Sequence, residues 1–169
     1  MDNKELFERD NEEHPCKDGE LHVVLGGYDC YLKRNAFLCW TGYVQLPKHH
    51  PMFNKCYENI QCHVHGGLTY GKDGRFGFDC GHIGDYLPVF DVENFAHVIE
   101  RDQKKVVYRD YNFVVDNLRV LTEFFESHET VSDIDLRVSQ QNGSSESQVK
   151  SMYDSYMSAR RMFDQSKQK

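Results

Sequence analysis

Leu21-His22-Val23-Val24-Leu25, Gly26-Gly27 and Tyr28-Asp29-Cys30-Tyr31-Leu32 form two β-prone runs on either side of a turn. Branched and aromatic side chains suit a pleated, half-buried surface, and paired glycines supply the backbone freedom of a tight hairpin. Further along, Phe37 to Leu46 is another such run, and Ile60 to His65 resumes the pattern before stopping at Gly66-Gly67. Leu68-Thr69-Tyr70 and Arg75 to Asp79 flank Lys72-Asp73-Gly74, whose Asp-Gly step is a strong short-range hairpin signal. Together these runs predict an antiparallel sheet over residues 21–80.

The second half changes period. Asp110 can cap a helix in which Tyr111, Val114, Val115, Leu118, Leu121 and Phe125 recur at three- and four-residue spacing. A shorter helix is expected near Asp91 to Arg101. Residues 1–20 are polar and acidic and read as an N-terminal arm, either a short helix or flexible, ending near Pro15 and Gly19. Residues 127–145 turn polar and finish in Asn142-Gly143-Ser144-Ser145, the composition of a linker. Residues 146–169 then read as an amphipathic helix with Val149, Met152, Tyr153, Tyr156, Met157, Met162 and Phe163 on one stripe. That stripe must be buried, either on the same domain or against a second copy of the chain, which makes a homo-oligomer one expectation. The reading is an α+β fold with a core domain over 21–126, its sheet packed against helices from the C-terminal half.

Composition narrows the function. With 169 residues the chain can bury a core without metal or disulfide staples. Its 20 Lys+Arg stand against 27 Asp+Glu, for a net charge of −7, with the acidic residues spread along the chain. That disfavours a long nucleic acid, whose binding rests on clustered Lys and Arg, but leaves room for a small nucleotide-like ligand. No apolar run is long enough to span a bilayer, and the charged start Met1-Asp2-Asn3-Lys4-Glu5 does not read as a secretory signal. The expectation is a cytoplasmic protein whose six cysteines are reduced, and none of them forms a CxxC pair.

His49, His50, His63, His65 and His82, five of the nine histidines, fall between positions 49 and 82, where even spacing would place about two. Two compact patterns share this stretch: His63-Val64-His65-Gly66-Gly67-Leu68-Thr69-Tyr70 and Phe78-Asp79-Cys80-Gly81-His82-Ile83-Gly84-Asp85. On a strand, His63 and His65 would face the same side, and with His82 they could bind a divalent transition metal, with Asp79 or Asp85 completing the set. Without a metal, His65 or His82 can act as general acid or base, oriented by Asp79 or Asp85. Gly66 and Gly67 would let the backbone approach an anionic ligand, Thr69 and Tyr70 would add hydroxyl contacts, and His50 and Tyr57 are further candidate ligand contacts. Cys80 beside His82 admits a thiol nucleophile. Against all of these stands the structural alternative, in which the glycines make turns and the histidines bond to loop carbonyls.

These motifs, together with Trp40-Thr41-Gly42-Tyr43-Val44, His50-Pro51 and Tyr57, resemble a family of small uncharacterised proteins encoded by bacteriophages and bacteria. The resemblance covers about residues 37–126 and rests on the HGGLTY and FDCxHxGD segments. It implies an intracellular protein, in the host-cell cytoplasm if phage-encoded, with His65, Thr69, Asp79, His82 and Asp85 in the signature. In that family the position of His63 often holds another residue, which shifts weight to His65, Asp79, His82 and Asp85. By analogy with small phage proteins that destroy or sequester nucleotide signals of host defence, the expected function is a small-molecule hydrolase acting on a nucleotide or phosphodiester-type compound. The alternatives are a protein that sequesters such a ligand intact, and an interaction module built on the C-terminal helix.

Overall fold

The computed structural model describes residues 1–16, 19–92, 105–130, 132–133 and 136–138. The expected C-terminal helix lies outside them, as do most of the 91–101 helix and of the linker. Helix α1 (Asn3–Glu13) starts in a capping box, with Asp2 accepting from the Glu5 N–H while the Glu5 carboxylate accepts from the Asp2 N–H. Strands β1 (Leu21–Leu25), β2 (Tyr28–Arg34), β3 (Trp40–Gln45), β4 (Tyr70–Lys72) and β5 (Arg75–Asp79) follow. A short helix α2 (Val89–Val92) and the long helix α3 (Tyr111–Glu126) complete the described elements. The strands form one antiparallel sheet in the order β1-β2-β3-β5-β4, so the fold is α+β.

Both hairpin signals work as turn chemistry requires. Gly26 and Gly27 have φ of 54° and 77°, and Asp73 and Gly74 have φ of 51° and 75°, the left-handed pairs that match the twist of the flanking strands. The Asp-Gly turn pairs Lys72 with Arg75 and Tyr70 with Gly77.

One face of the sheet carries Tyr28, Cys30, Leu32, Trp40, Val44, Phe76 and Phe78, all buried, and packs on Val114, Leu118, Leu121 and Phe125 of α3. Burying each large apolar side chain contributes roughly 1.5–3 kcal/mol, so this layer is the main source of stability. The opposite face carries Tyr31, Tyr43 and Arg75, whose guanidinium lies 4.5 Å and 4.7 Å from the two ring centroids.

One expectation takes one of its two forms and another meets a different structure. The arm is a docked helix: Phe7 packs with Tyr86 and Tyr108, and the Asp10 carboxylate is buried. Among the described residues, Ile60 to His65 pairs with no strand; a 3-10 turn at Tyr57–Asn59 precedes it, and the chain runs extended beside the core. Ile60, Cys62 and Val64 are nevertheless buried and Gln61 and His63 exposed, so the period-2 pattern is real without a partner strand.

Among the described residues, no helix is long and apolar enough to cross a membrane. All six cysteines are unpaired.

Candidate functional site

The site lies where β5 leaves the sheet, beside the N-terminal half of α3. The segment after β5 is held by a hydrogen bond from the Cys80 N–H to the Trp40 carbonyl, and then turns so that the Asp85 N–H reaches the His82 carbonyl at 3.0 Å. Gly84 (φ 96°) lets the chain leave that turn alongside residues 106–108: the Val107 N–H donates to the Gly84 carbonyl and the Tyr86 N–H to the Val107 carbonyl. Opposite, the turn at residues 64–67 closes with the Gly67 N–H on the Val64 carbonyl, and the His65 N–H donates to Asn117 Oδ1 of α3 at 2.8 Å. His65 and Asp85 are thereby tied to a helix and to the end of a sheet, the rigid support that a reactive geometry requires.

Asp85 is the centre. Its side chain is only 1% exposed, and three donors surround it. Oδ2 lies 2.7 Å from His65 Nε2 and accepts from the His82 N–H at 3.0 Å, while Oδ1 accepts from Arg109 Nε at 2.9 Å. Burial pushes this carboxyl upward, but the hydrogen bonds from His65, Arg109 and the His82 backbone outweigh it and hold the group below its ordinary value. Asp85 is therefore a fixed anion at neutral pH.

His65 meets Phe113 edge-on at 5.2 Å and His82 edge-on at 5.1 Å. Arg109 lies over the same Phe113 ring at 4.6 Å. The His82 Nδ1 atom is buried and has no hydrogen-bond partner among the described residues, lying 3.7 Å from Asp85 Oδ2 and 4.0 Å from Asp79 Oδ1. Asp79 in turn accepts from the Gly81 N–H at 2.9 Å.

Gly66 determines where His82 can sit. Its φ is 67°, and a Cβ at this position would fall 2.1 Å from His82 Nε2. Gly66→Ala is expected to swing the His82 ring out while costing about 1–2 kcal/mol of stability for the left-handed backbone. Two-dimensional NMR of the histidine side chains checks this: the His82 resonances should move far more than those of His22, which is remote on β1.

The structure thus brings together His65, His82, Asp79 and Asp85 and leaves other candidates elsewhere. Gly67 (φ 81°) completes the turn that carries His65, but its N–H is already used there. Thr69 is exposed and its N–H bonds to the Gly77 carbonyl, and Tyr70 packs edge-on against Tyr43 on the other side of the sheet. Tyr57 is half-buried under Gly71. His63 is exposed and does not share the cluster of His65, His82 and Asp85, whose ligand atoms lie within 4.8 Å of one another.

His50 is buried at the other end of α3, with Nε2 on the Phe125 carbonyl and Nδ1 accepting from the Met52 N–H. Burial keeps it neutral by lowering its pKa, and neither ring nitrogen is left for a ligand. A cavity of about 270 Å³ near it is lined by Tyr28, Gln45, Pro47 and Arg137, and contains none of the residues expected at the site. Cys80 is buried and burial pushes its thiol up, which argues against a thiolate nucleophile.

Two contributors carried no obvious motif. Arg109 stands immediately before the α3 cap and outside both histidine segments. Asn117 left a trace: it occupies a position of the apolar stripe, three residues after Val114 and four before Leu121, and a polar residue there needs a partner.

Fold and site define an α+β domain with a buried aspartate-centred histidine pair at one end of its sheet. No family model, curated protein or solved structure matches the chain.

Proposed function

We propose that the chain is a hydrolase of a small anionic substrate of the nucleotide or phosphodiester class. The observation that carries this reading is the 2.7 Å contact between His65 Nε2 and an Asp85 carboxylate that Arg109 and a backbone N–H already hold in place. It is the pairing of a base with its orienting acid that proton transfer from water requires. With its Nε2–H donated to the Asp85 carboxylate, His65 would leave Nδ1 to take a proton from water. The oxygen of that water bonds to phosphorus, the bond to the leaving ester oxygen breaks, and His82 or solvent returns a proton to the leaving group. Arg109, with 28% of its side chain exposed, is the site's cation, with its Nε held by Asp85.

The test is incubation of the full chain with a panel of cyclic and linear dinucleotides and an aryl phosphodiester, followed by mass analysis of the recovered compounds. A hydrolase returns products whose masses sum to the substrate plus one water per bond cleaved, and His65→Gln should lower the rate by about 10²- to 10⁴-fold. Recovery of an intact bound ligand after heat denaturation would replace this reading with sequestration.

A further inference from the structure

The His82 Nδ1 atom needs an explanation, because buried polar atoms in folded proteins nearly always have partners. Around it stand two electron-pair donors, Asp85 Oδ2 at 3.7 Å and Asp79 Oδ1 at 4.0 Å. His65 Nε2 completes a set of three ligand atoms within 4.8 Å of one another. An Nδ1 lone pair directed at carboxylate oxygens finds no donor there, and a cation placed between them would satisfy all of these atoms together.

We infer that His65 Nε2, His82 Nδ1 and Asp85 Oδ2 bind one divalent first-row transition metal ion, with Asp79 at the edge of the coordination sphere. Two imidazoles and one carboxylate are the donors that zinc, iron and manganese accept, and three protein ligands leave a position for water. Bonds of about 2.1 Å at tetrahedral angles separate ligand atoms by about 3.4 Å. The His82–Asp85 distance of 3.7 Å is close to that, whereas the His65–Asp85 distance of 2.7 Å is a hydrogen bond. An ion would take the place of the shared proton and open that pair from 2.7 Å by roughly 0.7 Å. The surroundings suit this exchange. Asp85 presents Oδ2 to the histidines because Arg109 occupies Oδ1, and Asn117 fixes the His65 backbone, the kind of outer contacts that orient metal ligands. Gly66 lacks the Cβ that would displace His82. His63, the ligand that strand geometry suggested, takes no part.

This inference rests on the hydrolase reading of the same site but changes the source of the nucleophile: with Nε2 on an ion His65 would no longer be the base, and the ion, by lowering the pKa of its water, would supply hydroxide at neutral pH. The experiment uses the full chain carrying Cys56→Ser, which removes an exposed thiol that collects zinc, stripped with chelator and dialysed against micromolar zinc chloride. Elemental analysis should give about one zinc per chain, and cobalt substitution a visible spectrum. His82→Gln should weaken binding at least tenfold, His63→Gln should leave it unchanged, and Arg109→Gln should weaken it about tenfold through Asp85. Circular dichroism establishes that each variant is folded, and Arg109→Gln carries the test if His82→Gln is not. A folded parent chain that takes up no zinc, manganese or iron overturns the inference, as does binding that His63→Gln abolishes. Cleavage by the stripped chain, with no ion taken up on dialysis, keeps the hydrolase and overturns the ion. A stoichiometric ion with no cleavage of any substrate keeps the ion and overturns the hydrolase.

Discussion

Asp10→Ala should destabilise the protein by about 3–5 kcal/mol, the usual cost of removing one partner from a buried ion pair. One carboxylate here serves four donors from distant parts of the chain. Oδ2 accepts from Arg34 Nη2 at 2.9 Å, Trp40 Nε1 at 2.7 Å and the Tyr108 hydroxyl at 2.6 Å, and Oδ1 accepts from the Tyr111 N–H at 3.1 Å. Asp10 and Arg34 side chains are only 8% and 7% exposed, so water cannot replace what is lost. The guanidinium, stacked 3.7 Å from the Trp40 ring, would be left as an uncompensated buried charge.

For a chain of this size the loss corresponds to a fall in Tm on the order of 10 °C, measurable by calorimetry. Asp10→Ala combined with Arg34→Met should recover part of it, because the stranded charge goes too. A Tm within about 2 °C of the parent would show that the network is not a keystone. The consequence reaches the candidate site, because Asn3 also bonds to the Val106 carbonyl and the Tyr108 N–H. Helix α1 thus clamps residues 106–108, the segment that delivers Arg109 to Asp85, and its loosening should depress activity as well as stability.

The contrast between α1 and α3 shows what the sequence can and cannot carry. Helix α3 was legible because its cap, Asp110, and its apolar period both lie within one contiguous segment. The hairpins were legible for the same reason, since Gly26-Gly27 and Asp73-Gly74 state their turns locally. Helix α1 was half legible: Asp2 and Glu5 announce its start, but its anchor is an acidic residue in an acidic segment, and only the partners Arg34, Trp40 and Tyr108 distinguish Asp10 from its neighbours.

The site divides in the same way. His65, His82, Asp79 and Asp85 stand in compact motifs, so their grouping could be expected. Strand periodicity pointed to His63 because it presupposed a ladder. The segment instead runs beside the core with Cys62 and Val64 inward, and His65 leaves the alternation at the turn that begins with Val64. Arg109 is a long-range contact with no local signature. His50 looked like part of the cluster because it is close in sequence, yet its two bonds are to Met52 and Phe125, the latter near the far end of α3 from Asn117.

Asp85→Asn is the substitution expected to hurt activity most. The amide keeps the shape of the side chain but offers one acceptor oxygen where the carboxylate has two, and three donors converge on it. If the amide nitrogen turns to His65, it donates to Nε2 and shifts the ring proton to Nδ1, removing the base. If it turns to Arg109, two donors face each other. In either orientation the rate of the proposed hydrolysis should fall by about 10²- to 10⁴-fold, in kcat more than in KM, because on that proposal the lost contact serves the proton transfer rather than substrate capture. The same variant gives a stability signature. Since the folded protein holds the Asp85 pKa below its ordinary value, its ionisation contributes stability that is fully present above the unfolded value of about 3.9. That contribution is lost as pH falls further, through the lower folded value. Urea unfolding should therefore show a gap between parent and Asp85→Asn that is still present at about pH 5 and closes only in stronger acid. An activity unchanged by Asp85→Asn would remove the pair from the chemistry, and a gap that closed near pH 6 would mean that a group other than this carboxylate carries the acid sensitivity.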